Sequence, residues 1–225
     1  MMFEKIITSS VLVDDKNKLY KWALVLAWIT ILYNLAEGII SVILGFSDET
    51  LALFGFGVDS FVEVISGIGI LHMVTRIRKS ESENPDEFEK TALKITGTAF
   101  YILTAGLLLT AALNILYGRE PETTFWGIII SAISILTMKI LIDAKMLVGK
   151  KLNSQAILSD AGCTKACMYL SIILLISSLG YELTGIGAVD SIGAILIAFY
   201  SFREGKEAFD KARGIHCCDS HCKVN

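Results

Sequence analysis

Long apolar runs, separated by short polar joints, dominate the pattern of hydrophobic and polar positions along this chain. A helix of about 20 apolar residues is enough to cross the ~30 Å hydrocarbon core of a bilayer. Runs of suitable length cover residues 22–46, 51–75, 95–117, 124–148, 155–181 and 186–200, and a helical extension follows at 201–212. The sequence therefore predicts an all-α, polytopic membrane protein with six transmembrane helices.

Lysine and arginine are distributed unequally over the joints between these spans. They lie before the first span, between the second and third, between the fourth and fifth, and after the sixth, whereas Arg119 is the only basic residue in the other joints. Lys145 is counted here with the joint between spans four and five. Because cytoplasmic loops carry an excess of Lys and Arg, we expect a multi-pass protein of the cell membrane with both termini in the cytosol.

The composition agrees with a membrane protein and argues against several other classes. Of the 225 residues, 53% are hydrophobic and 19% are charged, which is less charge than soluble domains usually carry. The net charge of −3 gives no reason to expect a nucleic acid partner. The sequence contains no Gly-rich phosphate loop, nucleophile elbow or dinucleotide fingerprint. We therefore expect neither an enzyme, nor an organic cofactor, nor an ATP-driven pump.

Two of the apolar runs carry several carboxylate or thiol side chains at helical spacing. The second span carries Asp59 and Glu63, at a spacing that places both on one helical face. The fifth span carries Asp160, Cys163 and Cys167, which also share one face. A charged group at the bilayer centre costs about 2.5–3.5 kcal/mol on insertion scales. Such residues are expected to have a partner, and a metal ion suits this combination of oxygen and sulfur.

The two groups lie at the same predicted depth. Asp59 and Cys163 are each about 12 Å from the end at which their span begins, at ~1.5 Å per residue. Because the two spans run antiparallel, packing them side by side brings two carboxylates and two thiols together. Four such donors suit tetrahedral Zn²⁺ or the similar soft ions Cd²⁺ and Hg²⁺. We predict that Asp59, Glu63, Cys163 and Cys167 bind the metal, with Asp160 as a supporting or alternative ligand.

The end of the chain is a second candidate for metal binding. Five possible ligands fall within seven positions, namely His216, Cys217, Cys218, His221 and Cys222. Short Cys/His-rich tracts are typical of metal binding. We therefore divide the chain into a six-helix transmembrane domain at 1–213, which carries the predicted metal ligands of spans two and five, and a cytosolic tail at 214–225 that captures or senses metal. A tail with incidental Cys and His residues is the alternative.

At these residues the chain resembles the cation diffusion facilitator family of divalent metal transporters. The Asp-x-x-x-Asp pair of that family, in span two, corresponds to Asp59 and Glu63, and its His-x-x-x-Asp pair, in span five, corresponds to Cys163 and Cys167. The resemblance covers roughly residues 21–213. It implies six spans, a homodimer and the export of a divalent metal.

The resemblance extends to the first and sixth spans. Asn34 and Glu37 look like polar positions of the family in span one, and Asp190 looks like one in span six. Most members also carry a soluble cytoplasmic metal-binding domain after span six. We expect the transmembrane domain alone here, with the Cys/His-rich tail in the place of that domain.

The expected activity is secondary transport of Zn²⁺ or a similar soft divalent ion out of the cytosol, in exchange for protons. Thiols and carboxylates must be deprotonated to bind metal, so binding releases protons and acid displaces the metal. The expected partners are the metal ion as transported substrate, protons, the lipid bilayer and a second copy of the chain.

Two alternatives stay open. One is a membrane metal sensor or metal-binding partner protein that does not transport. The other is a thiol redox protein that uses Cys163 and Cys167. The redox alternative is the weaker one, because two cysteines one turn apart have Cα atoms about 6 Å apart and poorly aimed Cβ vectors.

Overall fold

The computed structural model describes the backbone of residues 2–48, 50–80, 87–118 and 121–213, and its regular structure is entirely α-helical. The helices are α1 (Met2–Ser47), α2 (Leu51–Ser80), α3 (Glu87–Tyr117), α4 (Phe125–Leu152), α5 (Gln155–Thr184) and α6 (Ala188–Ala212). The prediction of an all-α protein with six helices is confirmed. Most of the helices are longer than the spans predicted from hydropathy, because each continues past its apolar stretch into polar sequence.

Five of these helices are long and apolar enough to cross a membrane, at Lys16–Ser47, Leu51–Ile77, Leu93–Tyr117, Phe125–Leu152 and Asp160–Thr184. Helix α6 falls outside that group, since Asp190 lies in its first turn and charged residues begin again at Arg203. Large apolar side chains such as Leu109, Leu136 and Ile140 are exposed on the outside of the bundle. An apolar surface of this extent is suited to lipid rather than to water.

The helices pack mainly as three antiparallel pairs, α1 with α2, α3 with α6, and α4 with α5. Glycines allow the first pair to approach closely. A Cβ on Gly45 would lie 2.5 Å from the Phe54 nitrogen, and one on Gly57 would lie 2.7 Å from the Val42 nitrogen. Small residues at helix contacts are typical of membrane bundles, where van der Waals packing drives association. The register of α1 against α2 is therefore fixed by residues that cannot be enlarged.

Helix α2 occupies the centre of the bundle, in contact with α1, α3, α5 and α6. Its buried residues Leu53 and Phe56 belong to one apolar cluster, and Ile70 and Val74 belong to a second. The turns between these two clusters carry Asp59 and Glu63. The fold thus places the carboxylates of Asp59 and Glu63 on a helix that is surrounded by other helices.

Carboxylates from neighbouring helices cap two of the helices that begin at the same end of the bundle, α2 and α4. The backbone nitrogens of Leu51 and Ala52 donate to the Asp190 carboxylate at 2.9 and 3.4 Å. The backbone nitrogen of Thr124 donates to Glu182 Oε1 at 2.7 Å. Helix N-termini present unpaired N–H groups and a partial positive charge. Asp190 therefore holds α6 against the start of α2, away from Asp59 and Glu63.

Candidate metal centre

Asp59, Glu63 and Cys167 come together in the middle of the bundle. One ligand atom of each lies within 4.8 Å of the other two. The two acids occupy consecutive turns of α2, and the cysteine faces them from α5. Asp59 and Cys167 are each 1% exposed. This spread is close to that of donors around a single ion with bonds of about 2.0–2.3 Å, so a small inward movement would allow all three to bind it. We call these three residues the central cluster.

Helix α1 supplies polar neighbours to the central cluster. Asn34 Nδ2 donates to Glu63 Oε2 at 3.2 Å. Glu37 accepts hydrogen bonds from the hydroxyls of Tyr33, at 2.9 Å, and Ser60, at 3.2 Å. Asn34 is fully buried, and within the described residues its Oδ1 has no hydrogen-bond partner. The polar positions noted in the first span therefore orient Glu63 and hold α2 against α1.

Helix α6 also reaches the central cluster, through a residue that the sequence did not single out. Ser201 Oγ, which is fully buried, donates to Asp59 Oδ1 at 3.3 Å. Ser201 stands between Tyr200 and Phe202, and a single serine among large apolar residues gives no signal of a functional role. The contact means that α6 helps to orient the carboxylate of Asp59.

Cys163 is not part of the central cluster. It lies one turn before Cys167 on α5, and its Sγ accepts a hydrogen bond from Lys211 Nζ at 3.3 Å. Lys211 lies near the end of α6 and also pairs with Glu207 Oε1 at 2.9 Å. The structure thus brings three of the four predicted donors together and holds the fourth against an ammonium group.

Asp160 is not part of the central cluster either. Its Oδ2 lies 2.9 Å from Lys145 Nζ, and the same ammonium donates to Thr164 Oγ1 at 2.8 Å. Lys145 is 1% exposed. The assignment of Lys145 to a cytosolic joint was therefore wrong, because α4 continues to Leu152 and the lysine lies on its buried face.

A cavity adjoins the central cluster at the end of the bundle where α2 and α6 end and α3 and α5 begin. Its polar lining consists of Thr30, Glu63, Thr96, Asp160, Cys163, Thr164, Glu204, Glu207 and Lys211. We call it the mouth cavity. Because Glu63 belongs to both the central cluster and the cavity, an ion could reach the cluster from this end. The sequence placed Glu204 and Glu207, which line it, only in a helical extension, and Lys211 was also counted among the basic residues after span six.

The predicted tail ligands His216, Cys217, Cys218, His221 and Cys222 lie outside the described residues. Metal binding by the tail stays a prediction.

The family described as the cation efflux transmembrane domain matches residues 27–213, which is most of the chain. The chain belongs to the cation efflux family. The resemblance of the sequence to the cation diffusion facilitator family is thereby confirmed.

A relative is known from Methanocaldococcus jannaschii, where it is described as an uncharacterized transporter. The two sequences are 26% identical over 186 residues, which is 81% of this chain and 64% of the relative. The chain thus matches less than two thirds of the length of that protein. Membership of the cation efflux family agrees with the apolar helices in placing this chain in a membrane as a multi-pass protein.

Proposed function

We propose that this chain exports Zn²⁺, or a similar soft ion such as Cd²⁺ or Hg²⁺, from the cytosol in exchange for protons. The observation that carries the proposal is the convergence of Asp59, Glu63 and Cys167 within 4.8 Å in the middle of the bundle. Two carboxylates and a thiol suit a soft divalent ion, whereas Mg²⁺ and Ca²⁺ prefer sites made entirely of oxygen. In this proposal the ion is the transported substrate of a secondary transporter, and the chain is not an enzyme.

A tetrahedral ion needs a fourth donor, and Cys163 can supply it. Its thiol is one turn from that of Cys167 on the same helix, so both face the same side of α5. In the described state, however, Lys211 holds the Cys163 thiol. The fourth position is then filled either by Cys163, after it leaves Lys211, or by a water molecule as in open zinc sites. Asp160 supports the site by holding α5 against α4 through Lys145.

Proton exchange follows from the chemistry of the donors. Carboxylates and thiols lose their protons when they bind a metal, and acid displaces the metal again. The mouth cavity gives the central cluster access from one end, which the charge pattern assigns to the cytosol. Toward the other end, the buried apolar residues Leu53, Phe56 and Leu174 close the bundle. Access would alternate when helices rock around the fixed site.

A membrane metal sensor or metal-binding partner protein is the second candidate function. The contact between Lys211 and Cys163 favours it, because an ammonium that stays on a predicted ligand would oppose a site with four protein donors. In both cases we propose a homodimer in the cell membrane with cytosolic termini, on the basis of family membership and the charge pattern.

Flux into proteoliposomes tests the proposal. The full chain is reconstituted in vesicles that hold a zinc-sensitive dye, with an outward-directed proton gradient, and is compared with Asp59→Asn and Cys167→Ser. We expect both variants to lose zinc flux by at least about tenfold. Asp143→Asn is the matched control, since Asp143 is exposed on α4 and pairs only with Lys139 among the described residues.

Two results would count against transport through the central cluster. Equal flux through the native chain and Asp59→Asn would remove the cluster from the pathway. Zinc that binds to the native chain in equilibrium dialysis, but does not cross the vesicle membrane, would favour the sensor.

A further inference from the structure

A cation that belongs to the chain itself occupies the mouth cavity. The Lys211 ammonium has Cys163 Sγ at 3.3 Å and Glu207 Oε1 at 2.9 Å. The side chain is 13% exposed, so its charge lies largely out of water. A buried positive charge is stable only where hydrogen-bond acceptors or negative charges surround it. The Lys211 ammonium therefore marks a position at which this chain binds positive charge.

The cavity is lined by more oxygen atoms than the Lys211 ammonium contacts. Glu204 lies on the same face of α6 as Glu207 and Lys211 and lines the cavity. No hydrogen bond or ion pair to another described residue holds its carboxylate. Thr96 of α3 also lines the cavity and is 1% exposed, and within the described part of the chain its Oγ1 has no hydrogen-bond partner. A buried hydroxyl without a partner is uncommon in proteins, and a bound cation or its water would satisfy it.

We propose that the mouth cavity is a second metal site, in which a soft divalent cation displaces the Lys211 ammonium and binds Cys163, Glu204 and Glu207. Thr96 Oγ1, or a water molecule bound to it, completes the coordination. The Cys163 thiol gives up its proton to solvent when the metal binds, as metal–thiolate bonding requires. One sulfur and two carboxylates suit Zn²⁺ or Cd²⁺ better than Mg²⁺ or Ca²⁺.

Displacement of the Lys211 ammonium requires only a movement of its side chain. The ammonium of lysine is carried on a flexible four-carbon stem, so Lys211 can leave the site while α6 stays in place. A divalent ion also brings twice the charge of the ammonium to Glu207 and can bind Glu204 as well. Lys211 therefore acts as a resident cation that pairs with Glu207 and donates to the Cys163 thiol while the metal is absent.

The donors of this second site do not overlap with Asp59, Glu63 and Cys167. Binding at the mouth cavity therefore does not need the central cluster, and while Cys163 is bound there the fourth position of the central ion is filled by water. Its use as a stopping point on the way to the cluster rests on the proposed function, whereas the binding itself does not.

The test uses the full chain, purified in detergent, in which Cys163 is made the only thiol. The substitutions are Asp59→Asn, Glu63→Gln, Cys167→Ser, His216→Asn, Cys217→Ser, Cys218→Ser, His221→Asn and Cys222→Ser. Cd²⁺ is the probe, because a cadmium–thiolate bond gives a charge-transfer band in the ultraviolet. We expect one Cd²⁺ per chain with this band, although the central cluster and the tail can no longer bind metal.

Two further substitutions in this background separate the proposed site from an isolated thiol. Glu204→Gln should weaken Cd²⁺ binding by about tenfold or more, as loss of a carboxylate at a metal site does. Lys211→Met should strengthen it, because the competing cation is gone. The matched controls are Glu122→Gln and Lys206→Met, whose native side chains are exposed outside the cavity, and both should leave the affinity unchanged.

The proposal is overturned if no thiolate band forms, or if Glu204→Gln binds Cd²⁺ as tightly as its background. Should the multiple variant not fold, the tail substitutions together with Cys167→Ser again leave Cys163 as the only thiol. The same dependence on Glu204 and Lys211 is then required. Absence of zinc flux through the native chain would not affect this result, because the experiment measures Cd²⁺ binding and its dependence on Glu204 and Lys211, not transport.

Discussion

Lys145 of α4 and Asp160 of α5 form an ion pair that is buried between their helices, with Nζ and Oδ2 2.9 Å apart. The same ammonium donates to Thr164 Oγ1, so α4 holds α5 at two successive turns. Cys163 lies between these two contacts in sequence, and Cys167 follows one turn later. The ion pair therefore sets the rotation and height of the thiols relative to α2.

Removal of one member of this pair should destabilise the protein. Asp160→Asn leaves the Lys145 ammonium buried without its counter-charge, and such a change costs about 3–5 kcal/mol. The measurement is the free energy of unfolding of the purified chain in mixed micelles. The double variant Asp160→Asn/Lys145→Met should recover much of the loss, because it removes both buried charges. A single variant as stable as the native chain would show that the pair does not stabilise the fold.

The cap that Asp190 provides to α2 should contribute to stability and not directly to metal binding. Asp190→Ala leaves the backbone nitrogens of Leu51 and Ala52 without their acceptor, at a cost of about 0.5–2 kcal/mol. Asp190→Asn keeps one side-chain oxygen and should cost less. Both unfolding and zinc affinity are measured. Zinc affinity that collapses while stability stays native would instead place Asp190 among the ligands.

The proximity of Asp59, Glu63 and Cys167 could be predicted from the sequence. Helical spacing places the two acids on one face, and the similar depth of the two antiparallel spans brings Cys167 opposite them. This reasoning needs only the rise of a helix and the thickness of a bilayer, since both quantities are fixed by backbone geometry. The helices and the central cluster could therefore be anticipated together.

The contacts of Cys163 and Lys145 could not be predicted from the sequence. Cys163 is held by Lys211, which lies 48 residues further along the chain, and that contact depends on how the end of α6 packs against α5. Lys145 was assigned from the charge of a joint, yet a rule about loop charges does not register which face of a helix is buried. Packing between helices decides both cases, and the chain shows no local periodicity that encodes these contacts.

Asn34 should affect metal affinity through Glu63. Its Nδ2 holds Glu63 Oε2 at 3.2 Å, so Asn34→Ala frees a carboxylate that the central cluster needs in one orientation. Partners of this kind are worth about 10–100-fold in metal affinity. Competition for Zn²⁺ against a coloured chelator measures the change in a chain without the tail ligands. Asn114→Ala, the same change on α3, is the control. An unchanged affinity for Asn34→Ala would mean that Glu63 is held by other contacts or does not bind the metal.

The two thiols of α5 should differ in reactivity, and metal should affect both. Cys163 lines the mouth cavity and is partly exposed, whereas Cys167 is 1% exposed. In chains that retain only one of them, a small maleimide should therefore label Cys163 faster than Cys167, because access limits the reaction. Saturating Zn²⁺ should slow both reactions, and removal of the metal with a chelator should restore the original rates, since a metal-bound thiolate is not free to react. Faster labelling of Cys167 would contradict the described packing of α5. Protection of Cys167 alone would confine the metal to the central cluster and leave the mouth cavity without a metal ligand on α5.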